Sequence, residues 1–333
     1  RALPAARIEA LTLQATRRLL RAAELLCRLQ SRALPSRLQV SRDLPYRGSR
    51  KRAHLLDIYR LRAHAPEDGP RPVVMYIHGG AFEACSKDTH MLLAQRYARA
   101  GYVVANVNYK LAPEHPFPEG LRDVCEAYRW LLDNASRFGG DPTRLILAGE
   151  SAGANLALGL MLTTCVERPE PWARAVFRSG QQPIAVLPAC GVLQVSELER
   201  MRTGRPRDFV TRGMCQMERA YLPTEPRWEG EHALADPLCI LESDAVIQRA
   251  LPPIFAFAGG LDPLADDTVR LGAALQRRRA RHEMCVYPDE IHAFHAMMWR
   301  SNARDAWQRG FRFIDRILAE LDAEEQARLP CAA

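Results

Sequence analysis

Lysine is nearly missing from this 333-residue chain: only Lys51, Lys87 and Lys110 stand among its 46 basic residues, and the rest are arginines. Set against 39 acidic residues they leave a net charge of +7, a balance that in other chains signals a polyanionic partner. Here the arginines are scattered and the densest cluster, "RGSRKR" at 47–52, is short. The charge therefore reads as compositional, and no nucleic-acid partner is expected. No stretch of about 18 apolar residues occurs, which excludes an apolar spanning helix and an integral membrane segment of that kind. No C-x-x-C pair occurs among the nine cysteines, an odd set in a chain too large to need covalent staples. A reducing, cytoplasmic compartment is the expectation; the chain starts at Arg1 without Met, and a trimmed leader is compatible with that start. An H-E-x-x-H motif, internal repeats and low-complexity tracts are also missing.

What is present is material for a core. The hydrophobic fraction of 47% fits one large α/β domain or two small ones. Residues 7–33 space Ile8, Leu11, Ala15, Leu19, Ala22, Leu26 and Leu29 as a basic amphipathic helix, expected to pack its apolar stripe on the rest of the protein. From about residue 38, strand and helix patterns alternate. Strands are predicted at 54–61, 72–80, 102–109, 144–150, 183–190, 253–260 and 283–288, and helices at 88–101, 119–138 and from Ser151 onward. The last helix is marked by Trp307, Phe311, Ile314, Leu318 and Leu321. Such alternation implies a mostly parallel sheet that presents functional residues at the carboxyl ends of its strands. Residues 196–250 break the rhythm and read as an insertion, a lid joined by the N-terminal helix.

Two glycine-rich stretches fall at strand ends. "AGESAGANLA" holds Gly149, Glu150, Ser151, Ala152 and Gly153 as G-x-S-x-G between an apolar strand and a helix. A serine on such a turn needs small neighbours for the bend and for a carbonyl to approach Oγ, and the helix that follows favours developing negative charge. "HGGAF" (78–82) follows an earlier strand. Its adjacent glycines can turn two backbone N–H groups into one cavity, where with the Ala152 N–H they would hold an oxyanion. His78, beside these donors, reads as an imidazole that braces the loop.

A serine nucleophile needs a base, and the base an acid. Asp236 and Asp262 both begin a D-P-L triplet, but only Asp262 directly follows an apolar strand; Asp236 reads as a cap, and Asp266 and Asp267 fall where a helix starts. Of the later histidines, His282 sits at the wrong end of the last strand, His292 lies just beyond it, and His295 is expected to be buried against Met297, Met298 or Trp299. Zinc is not supported by the spacing of His292 and His295, and no metal or cofactor is implied.

Taken together, "HGGAF", "NYKLAPEHPFPEGLRDV" (108–124), "DPTRLILAGESAGANLA" (141–157), "GGLDPLADD" (259–267) and "EIHAFH" (290–295) resemble the hormone-sensitive-lipase-like carboxylesterases, the bacterial family IV group, over roughly residues 54–320. The resemblance implies an α/β-hydrolase fold: a mostly parallel eight-stranded sheet flanked by helices, with a helical cap. It implies N-terminal cap helices at 1–50, a catalytic core at 51–195 and 251–325, and a cap insertion at 196–250. By resemblance Ser151, Asp262 and His292 match nucleophile, acid and base, Gly79, Gly80 and Ala152 match the oxyanion donors, and Glu114 and His115 belong to a structural segment. Two positions depart from the pattern: Ala81 stands where a third glycine is common, and Glu150 where aspartate is frequent. The expectation is a serine esterase for small-molecule esters of short to medium acyl length, its oligomeric state open, a homodimer included. An amidase or lactonase on the same triad, or a non-catalytic ligand receptor on the same scaffold, are the alternatives.

Overall fold

The computed structural model describes residues 37–62, 69–201, 209–223 and 232–328. The amphipathic stretch 7–33 lies outside the described residues. Eight strands form one sheet: β1 (Leu38–Pro45), β2 (Leu55–Leu61), β3 (Arg71–Ile77), β4 (Val103–Val107), β5 (Gly140–Glu150), β6 (Ala185–Ala189), β7 (Ile254–Gly259) and β8 (His282–Tyr287). Their spatial order is β1-β2-β4-β3-β5-β6-β7-β8, with β2 antiparallel to both neighbours and the rest parallel. The central strands are runs of Val, Ile, Leu and Ala with both faces covered, so they show no alternation, as buried parallel strands do not.

Helices cover both faces. On one side lie α2 (Glu119–Asn134), α3 (Ala152–Cys165) and α7 (Ala265–Arg277); on the other, α1 (Met91–Arg99) and α8 (Ser301–Arg328). All 14 residues of α3 are buried, which suits a helix apolar around its whole circumference, held between the sheet and its neighbours. Three shorter helices complete the described set: α4 (Pro171–Arg178), α5 (Phe209–Tyr221) and α6 (Pro237–Glu242). None of the described helices is long and apolar enough to cross a membrane.

The seven strands read from the sequence all form. The eighth, β1, was not among them: "LQVSRDLP" mixes polar and apolar residues, and as the outermost strand it pairs on one side only. Residues 38–45 are therefore sheet edge, not part of a helical cap spanning 1–50. Within 196–250, α5 stacks Tyr221 on Phe82 with ring centroids 3.7 Å apart, whereas α6 packs on α3 and α7 against the body of the sheet domain.

One of the rare lysines pins the antiparallel edge. Lys87 is 3% exposed and its Nζ lies 2.8 Å from Asp57 on β2, 2.9 Å from Asp43 on β1 and 3.3 Å from Asp88. Burial alone would lower the pKa of the amine, but the surrounding carboxylates, Asp57 first, raise it and keep the group charged. The Lys87 backbone is also tied to β4 and its exit, donating to Asn108 Oδ1 and accepting from Asn106 Nδ2, each at 2.7 Å. The segment that leads to His90 thereby has a fixed place over the sheet edge. Lys87→Met strands the fully buried Asp57 and is expected to lower unfolding free energy by about 3–5 kcal/mol in urea titrations. Adding Asp57→Asn to that variant should restore part of the loss.

Candidate active site

The parallel strands deliver their exits to one edge. Between β5 and α3, Ser151 adopts φ 53° and ψ −120°, a conformation few side-chain-bearing residues take, and its N–H donates to Ala189 O at 2.9 Å. The turn is pressed against the exit of β3. A Cβ on Gly153 would stand 2.1 Å from Ile77 O and 2.6 Å from His78 O, so only glycine permits the approach. The Ala152 N–H opens the first turn of α3, where the helix dipole is positive.

The β3 exit runs alongside: a Cβ on Gly79 would lie 3.2 Å from Ser151 Cβ. Both of its first two peptides are held by their carbonyls. Tyr109 Oη donates to His78 O at 2.8 Å, and His78 Nδ1 donates to Gly79 O at 2.7 Å. Because a peptide is planar and trans, fixing each C=O fixes the N–H of the next residue in the opposite direction. The Gly79 and Gly80 N–H groups are aimed in this way, and among the described residues these two and the Ala152 N–H donate to no protein acceptor. Burial, with the nearby His90, depresses the His78 pKa to about 3, so the imidazole is neutral, and its ring stacks on Tyr109 at 4.3 Å. The His78 side chain thus bonds the carbonyl of its own loop.

At the exits of β7 and β8, Asp262 is 4% exposed, and its Oδ2 lies 2.8 Å from His292 Nδ1 while Oδ1 accepts the Leu264 N–H at 2.9 Å. The two loops are stitched by Leu261 N–H to Glu290 O at 2.9 Å and Gly260 N–H to Tyr287 O at 2.7 Å. Burial alone would lower the His292 pKa, but the hydrogen bond and charge of Asp262, with a smaller contribution from Glu150, raise it above the ordinary imidazole value. Nε2 is left for a second partner. Among the described residues one group has metal-ligand spacing: Cys190, Asp262 and His292, whose ligand atoms lie within 4.8 Å of one another. Burial pushes the Cys190 thiol far up, and a protonated thiol is a poor metal ligand.

The competing residues have other work. Asp236 accepts the Val195 and Ser196 N–H groups and the Ser196 hydroxyl, capping the turn beyond β6, not the helix it precedes. Asp267 is fully buried, pairs with Arg200 at 2.6 Å and accepts the Leu193 and Gln194 N–H groups. His282 bonds Ala280 O at the start of β8, remote from the edge. His295 is buried, but against Phe257 and Trp307 and not the 76%-exposed Trp299. It also does more than pack. Its Nε2 lies 2.8 Å from Glu150 Oε2, while His90 Nε2 bonds Glu150 Oε1 at 2.6 Å. Burial would raise the Glu150 pKa, yet the two imidazoles hold it well below the usual carboxylate range.

His90 and Tyr109 were missed in the sequence. Neither carries a spacing signal: His90 lies ahead of α1 and Tyr109 inside a structural segment, and only the fold brings them to the site. A cavity of about 650 Å³ is lined by Glu114, His115 and Trp172, and by none of Ser151, Asp262, His292, Gly79 and Gly80.

A family model described as the alpha/beta hydrolase fold matches residues 74–296, two thirds of the sequence and every residue of this edge. The chain belongs to that family. Within the hydrolases it stands with the hormone-sensitive-lipase-like carboxylesterases, as its sequence blocks implied. It is similar to the acetyl esterase of Salmonella schwarzengrund, 29% identical over 76% of this chain and 75% of that one. Esterase B of Lactobacillus rhamnosis in a tributyrin phosphonate complex shares the fold with a TM-score of 0.75 at 18% identity, over 97% and 99% of the two chains. So does the hyperthermophilic esterase of Pyrobaculum calidifontis, at 0.70 and 22%, over 92% and 93%.

For this hydrolase, Tyr109→Phe keeps the stacked ring but frees the His78 carbonyl. With one neutral hydrogen bond worth about 1 kcal/mol, kcat for an activated ester should fall roughly fivefold with KM unchanged in steady-state assays.

Proposed function

We propose that this hydrolase cleaves carboxylic esters of short to medium acyl length, with Ser151 as nucleophile, His292 as base and Asp262 as the acid that orients it. The observation that carries the reading is the juxtaposition at one sheet edge: a serine on a positive-φ turn, unpaired N–H groups on both sides of it, and a buried Asp262 bonded to a half-buried His292 with one imidazole nitrogen uncommitted. His292 Nε2 takes the Ser151 hydroxyl proton as Oγ attacks the ester carbonyl. The oxyanion is received by the N–H groups of Gly79, Gly80 and Ala152, each such donor being worth on the order of 10²–10³ in kcat. The imidazolium, stabilised by Asp262, then gives its proton to the departing alcohol. Water, deprotonated by the same nitrogen, clears the acyl-enzyme, so the cycle calls for no metal or cofactor. The likeness to acetyl esterases supports small acyl groups, and so does the cap: Tyr221 of α5 closes on Phe82, three residues beyond Gly79.

Ser151→Ala that folds normally yet hydrolyses a short p-nitrophenyl ester at the wild-type rate would sink this reading; a loss on the order of 10⁴-fold or more is expected. His292→Ala should match it, while His295→Ala should keep far more turnover. A series of p-nitrophenyl esters from acetyl to hexadecanoyl should peak among the shorter chains.

The pH profile has a defined sign. The base must be neutral and its pKa is raised, so kcat/KM should decline on acidification from a pH above the ordinary imidazole value of 6.5. Asp262→Asn removes the group that raises it, and the acid limb should move to lower pH as the rate collapses.

A further inference from the structure

Behind the Ser151 turn, on the α1/α8 side of the sheet, lies a cavity of about 20 Å³ bordered by Tyr76, Tyr97, Gly149, Phe257, His295 and Trp307. Its lining is largely aromatic, yet two of the residues that border it carry a polar atom with no hydrogen-bond partner among the described residues: Tyr76 Oη and His295 Nδ1. Each belongs to a side chain 3% exposed. Buried polar atoms are rarely left unsatisfied. One water needs about 10–15 Å³ on this measure and at least two polar partners, so the space and the two atoms match a single molecule.

The donors and acceptors also match in direction. Glu150 is ionised and only accepts, so His295 Nε2, 2.8 Å from it, carries a hydrogen. In a neutral ring Nδ1 is then an acceptor. Burial keeps the Tyr76 phenol protonated, and it is a donor. A water between them accepts from Tyr76 and donates to His295. On the far side of the carboxylate, His90 Nδ1 faces Thr89 Oγ1 at 2.7 Å, whose own hydrogen goes to Ser86 O.

We propose that this cavity holds one water molecule bridging Tyr76 Oη and His295 Nδ1, and that the chain Tyr76–water–His295–Glu150–His90 is a positioning device for the Ser151 turn. Glu150 immediately precedes Ser151, and its backbone carbonyl is the atom a Cβ on Gly79 would meet at 2.9 Å. Holding this side chain from both sides therefore holds the nucleophile turn and the donor loop together. The consequence for rate rests on Ser151 being the nucleophile; the water and the tautomer do not.

The test begins with the resting full-length chain. Nitrogen-15 NMR of histidine-labelled protein, assigned with His295→Asn, should show a neutral His295 protonated at Nε2; a ring protonated at Nδ1 or at both nitrogens overturns the proposal. A high-resolution crystal structure should show solvent density within hydrogen-bond distance of both atoms, and a dry cavity overturns it as well. Tyr76→Phe, checked for fold by its melting curve, should lower kcat by about three- to tenfold without changing KM, the loss of one such bond. Glu150→Gln should move the acid limb of kcat/KM to lower pH, because Asp262 and the neutral Cys190 thiol then face His292 without the second carboxylate. An unmoved kcat in Tyr76→Phe refutes the positioning role. If Ser151→Ala stays active while the tautomer and the density are as stated, the esterase mechanism fails and the water site stands.

Discussion

The exits of β3 and β5 are packed backbone against backbone, closer than side-chain-bearing residues allow, and the arrangement of the site follows from that contact. With Gly153 against the carbonyls of Ile77 and His78, and Gly79 against Glu150 O and Ser151 Cβ, the serine and the loop that faces it have no independent freedom. The carbonyl anchors supplied by Tyr109 and His78 then set which way the N–H groups point. Preorganisation of this kind is the condition for electrostatic stabilisation to act without reorientation during reaction.

The Asp262–His292 pair reaches the same edge by a different route, through loops stitched across neighbouring strands. Two other carboxylates that compete with Asp262 on sequence grounds, Asp236 and Asp267, both clamp the chain that leaves β6. Their job is to hold 193–196 in place between the two halves of the site. Three carboxylates, two buried and one half-buried, thus divide into one that faces an imidazole and two that face backbone N–H groups, and the partner decides the role of each.

Much of this was legible in the sequence because it was local. Seven strands announced themselves as short apolar runs, and Ser151, Asp262 and His292 could be placed by asking which residues follow a strand. What stayed hidden was non-local or faint. β1 has an edge strand's mixed pattern. Glu150 could be seen as unusual, but its two histidines come from 60 residues upstream and 145 downstream, and no periodicity links them. His295 was read as a packing residue on the strength of its apolar neighbours in the chain. In the fold its neighbours are different, and one of them is a carboxylate. The lysine that secures the sheet edge was visible only as a rarity of composition.

The stack of Tyr221 on Phe82 joins α5 to the loop that carries Gly79 and Gly80. A second link runs through Phe117, whose N–H bonds Tyr221 O at 2.7 Å, and a third through Ala112, which donates to Phe82 O at 2.9 Å. Because that loop is itself pinned to the exit of β5, α5 cannot lift without breaking the aromatic pair. The floor under α5 is therefore rigid, and an occupant too large to fit beneath Tyr221 would have to part it from Phe82 while the loop stays where the sheet holds it.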